Sequence, residues 1–168
     1  MDWYESGGGA LLGLDPSLLP HWVGYPDPGY EEISNDASRY LSLADIGSGK
    51  GIVLWGEPLP AAFDQWRSLI VRAMWVDDEK AMQQFFLNPV LDKSDMTETV
   101  QFNNASLDLV FFDSAYGGER PEILRNGKMV SKLPSLHLPS ASTTIYTYEI
   151  EKDGAFAAVV HEFAARPR

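Results

Sequence analysis

Thr143-Thr144-Ile145-Tyr146-Thr147-Tyr148-Glu149-Ile150 is dense in β-branched and aromatic residues, the types that favour extended backbone. Lys152-Asp153-Gly154 follows as a turn, in which Gly154 is free to take positive φ. Ala155 to Phe163 then returns as a second apolar run. The pattern predicts one antiparallel hairpin over residues 143–163.

Outward from this hairpin the chain reads mostly as strands. Leu69 to Val76 has few polar residues and predicts a strong strand. It leads into the clearest helix, residues 78–88, with Asp77 as cap, Asp78 and Glu79 at the positive end of the dipole, and Met82, Phe85 and Phe86 on one face. Asn88-Pro89 stops that helix, because the residue before proline avoids the helical region. Thr97 to Phe102 and Leu107 to Asp113 read as strands around an Asn103-Asn104 turn, and Lys128 to Leu133 as a weaker strand. Nearer the start, residues 10–14 read as a short strand after the flexible Gly7-Gly8-Gly9. Asp15-Pro16-Ser17-Leu18-Leu19 reads as one helical turn that Pro20 soon ends. Residues 24–30 read as a Pro/Gly loop. Tyr40 to Ile46 and Ile52 to Trp55 read as strands joined by Gly47-Ser48-Gly49-Lys50-Gly51. The expected architecture is a single α+β domain over residues 1–168, with a mainly antiparallel sheet and one principal helix packed on it.

Composition narrows the function. The 168 residues are 45% hydrophobic and carry 5 Trp, 7 Tyr and 8 Phe, too many aromatics for a disordered chain. Lys and Arg number 13 against 24 Asp and Glu, a formal charge of −11. That balance disfavours nucleic acid and anionic membrane surfaces as partners and permits a basic protein. The net charge is −6 over residues 1–50, −4 over 51–100 and −1 over 101–168, so one side is expected to be strongly negative. A basic cluster of Arg120, Arg125, Lys128 and Lys132 sits in the last part. There is no cysteine, which excludes disulfides, thiolate nucleophiles and Cys-ligated zinc. Met1-Asp2-Trp3-Tyr4-Glu5 lacks the basic start and apolar run of a signal peptide, and no apolar run approaches the roughly 20 residues that span a bilayer. A cytoplasmic location is expected.

No catalytic motif assembles. Gly47 to Gly51 invites a phosphate-loop reading, but Ala44 and Gly51 stand where that motif needs Gly and Ser or Thr, and a strand follows instead of a helix. A hairpin loop fits better. His21, His137 and His161 show no metal-ligand spacing, and His161 reads as a surface or satisfied strand residue. Asp113-Ser114 precedes Gly117-Gly118 but lacks the glycines that flank a nucleophile elbow, so a turn in which Asp113 bonds the backbone is expected. No cofactor and no metal is expected. Trp3, Trp22, Trp55, Trp66 and Trp75 are mostly core, with one or two available to anchor a partner.

Several stretches fall in a distinctive order. They are Trp3-Tyr4-Glu5-Ser6-Gly7-Gly8, then Leu18-Leu19-Pro20-His21-Trp22-Val23-Gly24, then Gly56-Glu57-Pro58-Leu59-Pro60, then Leu69-Ile70-Val71-Arg72 leading through Trp75 to Asp77-Asp78-Glu79. In that order and spacing they resemble the immunity protein 21 family of bacterial polymorphic toxin systems. Asp113-Ser114-Ala115 after an apolar strand is also similar to that family. The resemblance covers residues 3–88 well and the remainder loosely. Gly9 stands where many members have proline, and residues 61–68 depart from the pattern. The resemblance implies a small cytoplasmic inhibitor that binds a cognate protein toxin and has no catalysis of its own. Charge alone adds that an acidic inhibitor fits a basic toxin such as a nuclease. Two other classes stay open: a small hydrolase or nucleotide-dependent enzyme built on Gly47 to Gly51 or Ser114, and an acidic scaffold subunit.

Partner-binding candidates follow from exposure and chemistry. Glu31 and Glu32 succeed a Pro/Gly-rich loop, and Asp64 and Trp66 lie in a polar connection between two strands.

Overall fold

Residues Ser142–Lys152 and Phe156–Ala165 pair antiparallel without a register break, from Thr143 opposite Ala165 to Lys152 opposite Phe156. The turn between them holds Asp153 at φ 26° and Gly154 at φ 72°. Glycine meets that left-handed requirement at no steric cost. The computed structural model describes residues 2–35, 40–55 and 59–166.

In chain order the first six strands are β1 (Tyr4–Glu5), β2 (Leu11–Leu14), β3 (Leu41–Ile46), β4 (Gly49–Leu54), β5 (Ala61–Asp64) and β6 (Leu69–Val76). A 3-10 helix (Pro16–His21) and α1 (Pro28–Ser34) lie between β2 and β3. After β6 come α2 (Glu79–Leu87), a 3-10 turn (Lys93–Asp95), β7 (Met96–Asn103), β8 (Asp108–Asp113), β9 (Ile123–Arg125), β10 (Lys128–Val130) and β11 (Ser135–His137). The hairpin strands are β12 and β13. Eight strands form one sheet in the order β10-β9-β1-β5-β6-β13-β12-β7. Five form a second sheet in the order β11-β8-β2-β4-β3.

The two sheets enclose a central core of Leu11, Ile52, Leu54, Ile70, Phe102, Phe111, Ile145 and Phe163. Each sheet is also covered outside. On the large sheet α2 lays Met82 and Phe85 over Leu69, Val71, Ile150, Phe156 and Val160. On the small sheet the 3-10 helix and α1 bring Leu18, Trp22 and Ile33 onto Leu12, Leu14, Val53 and Phe112. A strand with both faces dry has no polar side to alternate with. That accounts for the unbroken apolar runs Ile52-Val53-Leu54 and Leu69-Ile70-Val71.

The expectation of one sheet carrying one principal helix is overturned. Strands take 47% of the described residues and helices 16%, in two antiparallel sheets. The longest helix has nine residues and covers one patch of one sheet. The apolar inner faces of β2, β4 and β8 are buried by a second sheet instead. Four local expectations also change. Residues 28–34 form α1, with Asp27 capping the Gly29 N–H at 2.9 Å and Pro28 at the first position. The cap of α2 is Asp78, which accepts from Lys80 and Ala81, while the Asp77 N–H bonds the Ala155 carbonyl. Pro20 lies inside the 3-10 helix, which ends at His21. Strands β7 and β8 are not a hairpin, because the chain crosses from the large sheet to the small one between them.

Among the described residues no helix is long and apolar enough to cross a membrane. The packing of α2 is directly testable. Phe85 is buried, with its ring centroid 5.3 Å from that of Phe156. Phe85→Ala is expected to cost about 3–5 kcal/mol in urea unfolding. A loss below about 1 kcal/mol contradicts this packing.

Candidate functional site

The turn between β5 and β6 is built around one carboxylate. Asp64 Oδ1 accepts from the Trp66 and Arg67 N–H groups, each at 3.0 Å, and Oδ2 accepts from Arg67 Nε at 2.6 Å. The Arg67 guanidinium continues to the end of α2. It donates to the Leu87 carbonyl at 2.7 Å and to the Phe86 carbonyl, and lies 5.9 Å from the Phe86 ring centroid. A cation bonding the last carbonyls of a helix satisfies groups that have no partner within it. Trp66 is thus carried on a turn fixed at both ends, yet its side chain is 98% exposed. Leu87 and Val90 are largely exposed at the same end of α2.

Glu31 and Glu32 are exposed on α1, over the outer side of the small sheet. Tyr25 and Tyr30 stack edge to face beside them. Asp64 and Trp66 belong to the large sheet, so the structure does not bring the four residues into one patch. Asp64 is a positioning residue whose carboxylate is occupied within the turn. Arg67, which completes the turn, carries no sequence signal except its spacing of three from Asp64.

The other motifs have structural explanations. Ile46 pairs with Gly49, which leaves Gly47 and Ser48 as a two-residue turn and puts Gly49 to Gly51 inside β4. No helix follows to receive a phosphate. Asp113 Oδ2 accepts from the Gly7 N–H at 2.5 Å, and Oδ1 from Gly9 at 3.1 Å and Ala115 at 2.9 Å. This carboxylate ties the N-terminal glycine loop to the end of β8. A Cβ on Gly9 would lie 2.5 Å from Asp113 Oδ1 and 2.6 Å from Ser114 Oγ, and a proline there would lack the donor. Ser114 Oγ is buried with no hydrogen-bond partner among the described residues, so no base there is placed to take its proton.

His161 differs from its sequence reading. It lies in the central layer at 0% exposure, because its position on β13 alternates with residues facing α2. Its Nδ1 sits 3.0 Å from Thr147 Oγ1, and Nε2 has no partner among the described residues. Arg72, on the same face of β6, is also buried, and its Nη1 donates to the Trp55 carbonyl. Burial pushes the Arg72 guanidinium down to about 10, so it stays charged at neutral pH. Burial, aided by the Arg72 charge, holds the His161 imidazole well below its ordinary 6.5. Among the described residues no group of three His, Asp or Glu side chains is placed to hold a metal ion.

Two measurements test these assignments. Asp113→Ala strands three backbone N–H groups and is expected to cost about 2–4 kcal/mol of stability. A neutral result in thermal melts contradicts the tie. For His161 the folded state stays neutral while an unfolded chain takes up a proton below about pH 6.5. The stability it contributes is present above that pH and is lost as the pH falls, by up to about 1.4 kcal/mol per unit. Urea unfolding from pH 7.5 to 5.5 should give a sloping profile for the native chain and a flatter one for His161→Gln.

Compared with protein-family models, curated proteins and solved structures, the chain has no match, so the case for any function rests on its own residues.

Proposed function

We propose that this chain is an immunity protein that binds a cognate bacterial polymorphic toxin domain in the cytoplasm and neutralises it by occupying its surface. The observation that carries the reading is Trp66. A large apolar ring held in water by a turn as constrained as Asp64-Gln65-Trp66-Arg67 contributes nothing to the core. Tryptophan on a pre-organised support is the residue type that most often anchors a protein interface. Leu87 and Val90 extend the apolar surface at that end. The order of motifs that resembles immunity protein 21 supports the same reading. The charge of −11 favours a basic toxin such as a nuclease. Glu31 and Glu32, on the other sheet, serve the approach of such a partner rather than its anchoring.

The test is co-expression with any toxin domain found encoded next to this chain's gene, together with binding kinetics. Trp66→Ala is expected to weaken binding at least tenfold through faster dissociation, with an unchanged melting temperature. The double reversal Glu31→Lys/Glu32→Lys is expected to slow association and flatten its salt dependence. Full protection and unchanged dissociation with Trp66→Ala place the anchor elsewhere.

A further inference from the structure

The large sheet carries two register irregularities. Ala157 faces Trp75 and Ala158 faces Ala73, so Met74 is an extra residue in β6. Thr147 faces Glu98 and Tyr148 faces Met96, so Thr97 is an extra residue in β7. Bulges bend a sheet and re-aim the side chains beside them. Directly opposed residues share a face, so Trp75, Ala157 and Glu151 line up across three strands, with Glu149 two residues along from Glu151. Further down, this face is buried at Ile145 and Phe163. At Trp75 it reaches the surface at the end of β6, and the described residues there form a mouth.

The mouth is a groove of about 410 Å³. Its apolar surface comes from Met74 and Trp75, which are 39% and 37% exposed. Asp95 and Glu151 supply two carboxylates, Glu149 lines the groove beside them, and among the described residues no basic side chain lines it. Arg72 lies deeper on the same face, outside the groove, with Nη1 turned to the Trp55 carbonyl. An aromatic face beside carboxylates is the arrangement that receives a cationic side chain with a long aliphatic stem. The stem covers the apolar surface, while the head meets the ring and the negative oxygens.

We propose that this mouth is a second contact surface, which takes a lysine or arginine side chain from a basic segment of the protein partner. The proposal rests on the reading of the chain as a protein-binding inhibitor. It adds where the partner's charge is received. Trp66 and the mouth are then separate contacts, one apolar and one cationic.

The test needs no toxin. Octa-lysine is titrated into the full chain at low salt, and the indole signals are followed by NMR, with Trp75 assigned through Trp75→Phe. The expected result is a saturating shift of the Trp75 indole with the Trp66 indole unmoved, and a dissociation constant at least tenfold weaker in Asp95→Asn/Glu151→Gln. Glu119→Gln/Glu122→Gln removes the same formal charge elsewhere and should change the constant less than threefold. Equal weakening by the two double variants, or shifts spread over all exposed indoles, overturns the proposal. In co-expression Asp95→Asn/Glu151→Gln should reduce protection, and full protection with this variant also overturns it. A failure of Trp66→Ala to weaken the toxin complex counts against the anchor alone and leaves the octa-lysine result standing.

Discussion

Because β12 and β13 pair without a break, their side chains divide strictly between two dry compartments. Ile145 and Phe163 enter the layer between the sheets, while Tyr148, Ile150, Phe156 and Val160 enter the layer under α2. A slip of one residue in this ladder would invert the facing of one strand, turning either His161 or Thr147 and Glu149 toward α2. The rest of the large sheet is built outward from this pair, with β6 on one side and β7 on the other. The turn at Asp153 and Gly154 therefore sets the register of the molecule as well as of one hairpin.

The same ladder explains why polar groups lie inside. Thr147 and His161 are directly opposed on the inner face, and the hydroxyl is the imidazole's neighbour. Arg72 reaches the same layer from β6 and finds a backbone carbonyl rather than a carboxylate as its described acceptor. Buried polar groups with incomplete partners are costly, and among the described residues Arg72 Nε and His161 Nε2 are two such groups on the inner face of the large sheet. The surface chemistry follows a related logic. Rigid carboxylate-built turns hold the exposed tryptophan, and sheet irregularities place the half-exposed one.

Much of the fold was legible where apolar residues alternate or run unbroken. The hairpin, β6 and α2 carried strong local signals and each is found within two residues, while the β3–β4 turn is present but shorter than read, with Gly49 to Gly51 taken into β4. The division into two sheets was not legible, although β2, β3, β4 and β8 carry strand signals of their own. Strands β1, β5 and β9 of the large sheet and β11 of the small one are two to four residues long, too short for periodicity to distinguish them from loops. The loop over 24–30 concealed α1 because two prolines outweighed the Asp27-Pro28 start, although Asp15-Pro16 had been read correctly by the same rule. At the candidate site, Trp66 stood out because it lies among polar residues. The task of Asp64 did not, because the guanidinium it holds also bonds the carbonyls of Phe86 and Leu87 at the end of α2, about twenty residues on. The acidic groove was invisible, since Trp75, Asp95 and Glu151 meet only through the pairing of four strands.

The position of β13 has a consequence for how the molecule comes into being. The last strand does not sit at an edge. It fills the gap between β6 and β12, and β1 is likewise inserted between β5 and β9. Contacts of such long sequence separation form late and slowly. Until β13 is seated, β6 has only β5 beside it and the large sheet stays in two pieces, β10-β9-β1-β5-β6 and β12-β7. Completion of the large sheet therefore waits on β13, the strand made after all those it joins.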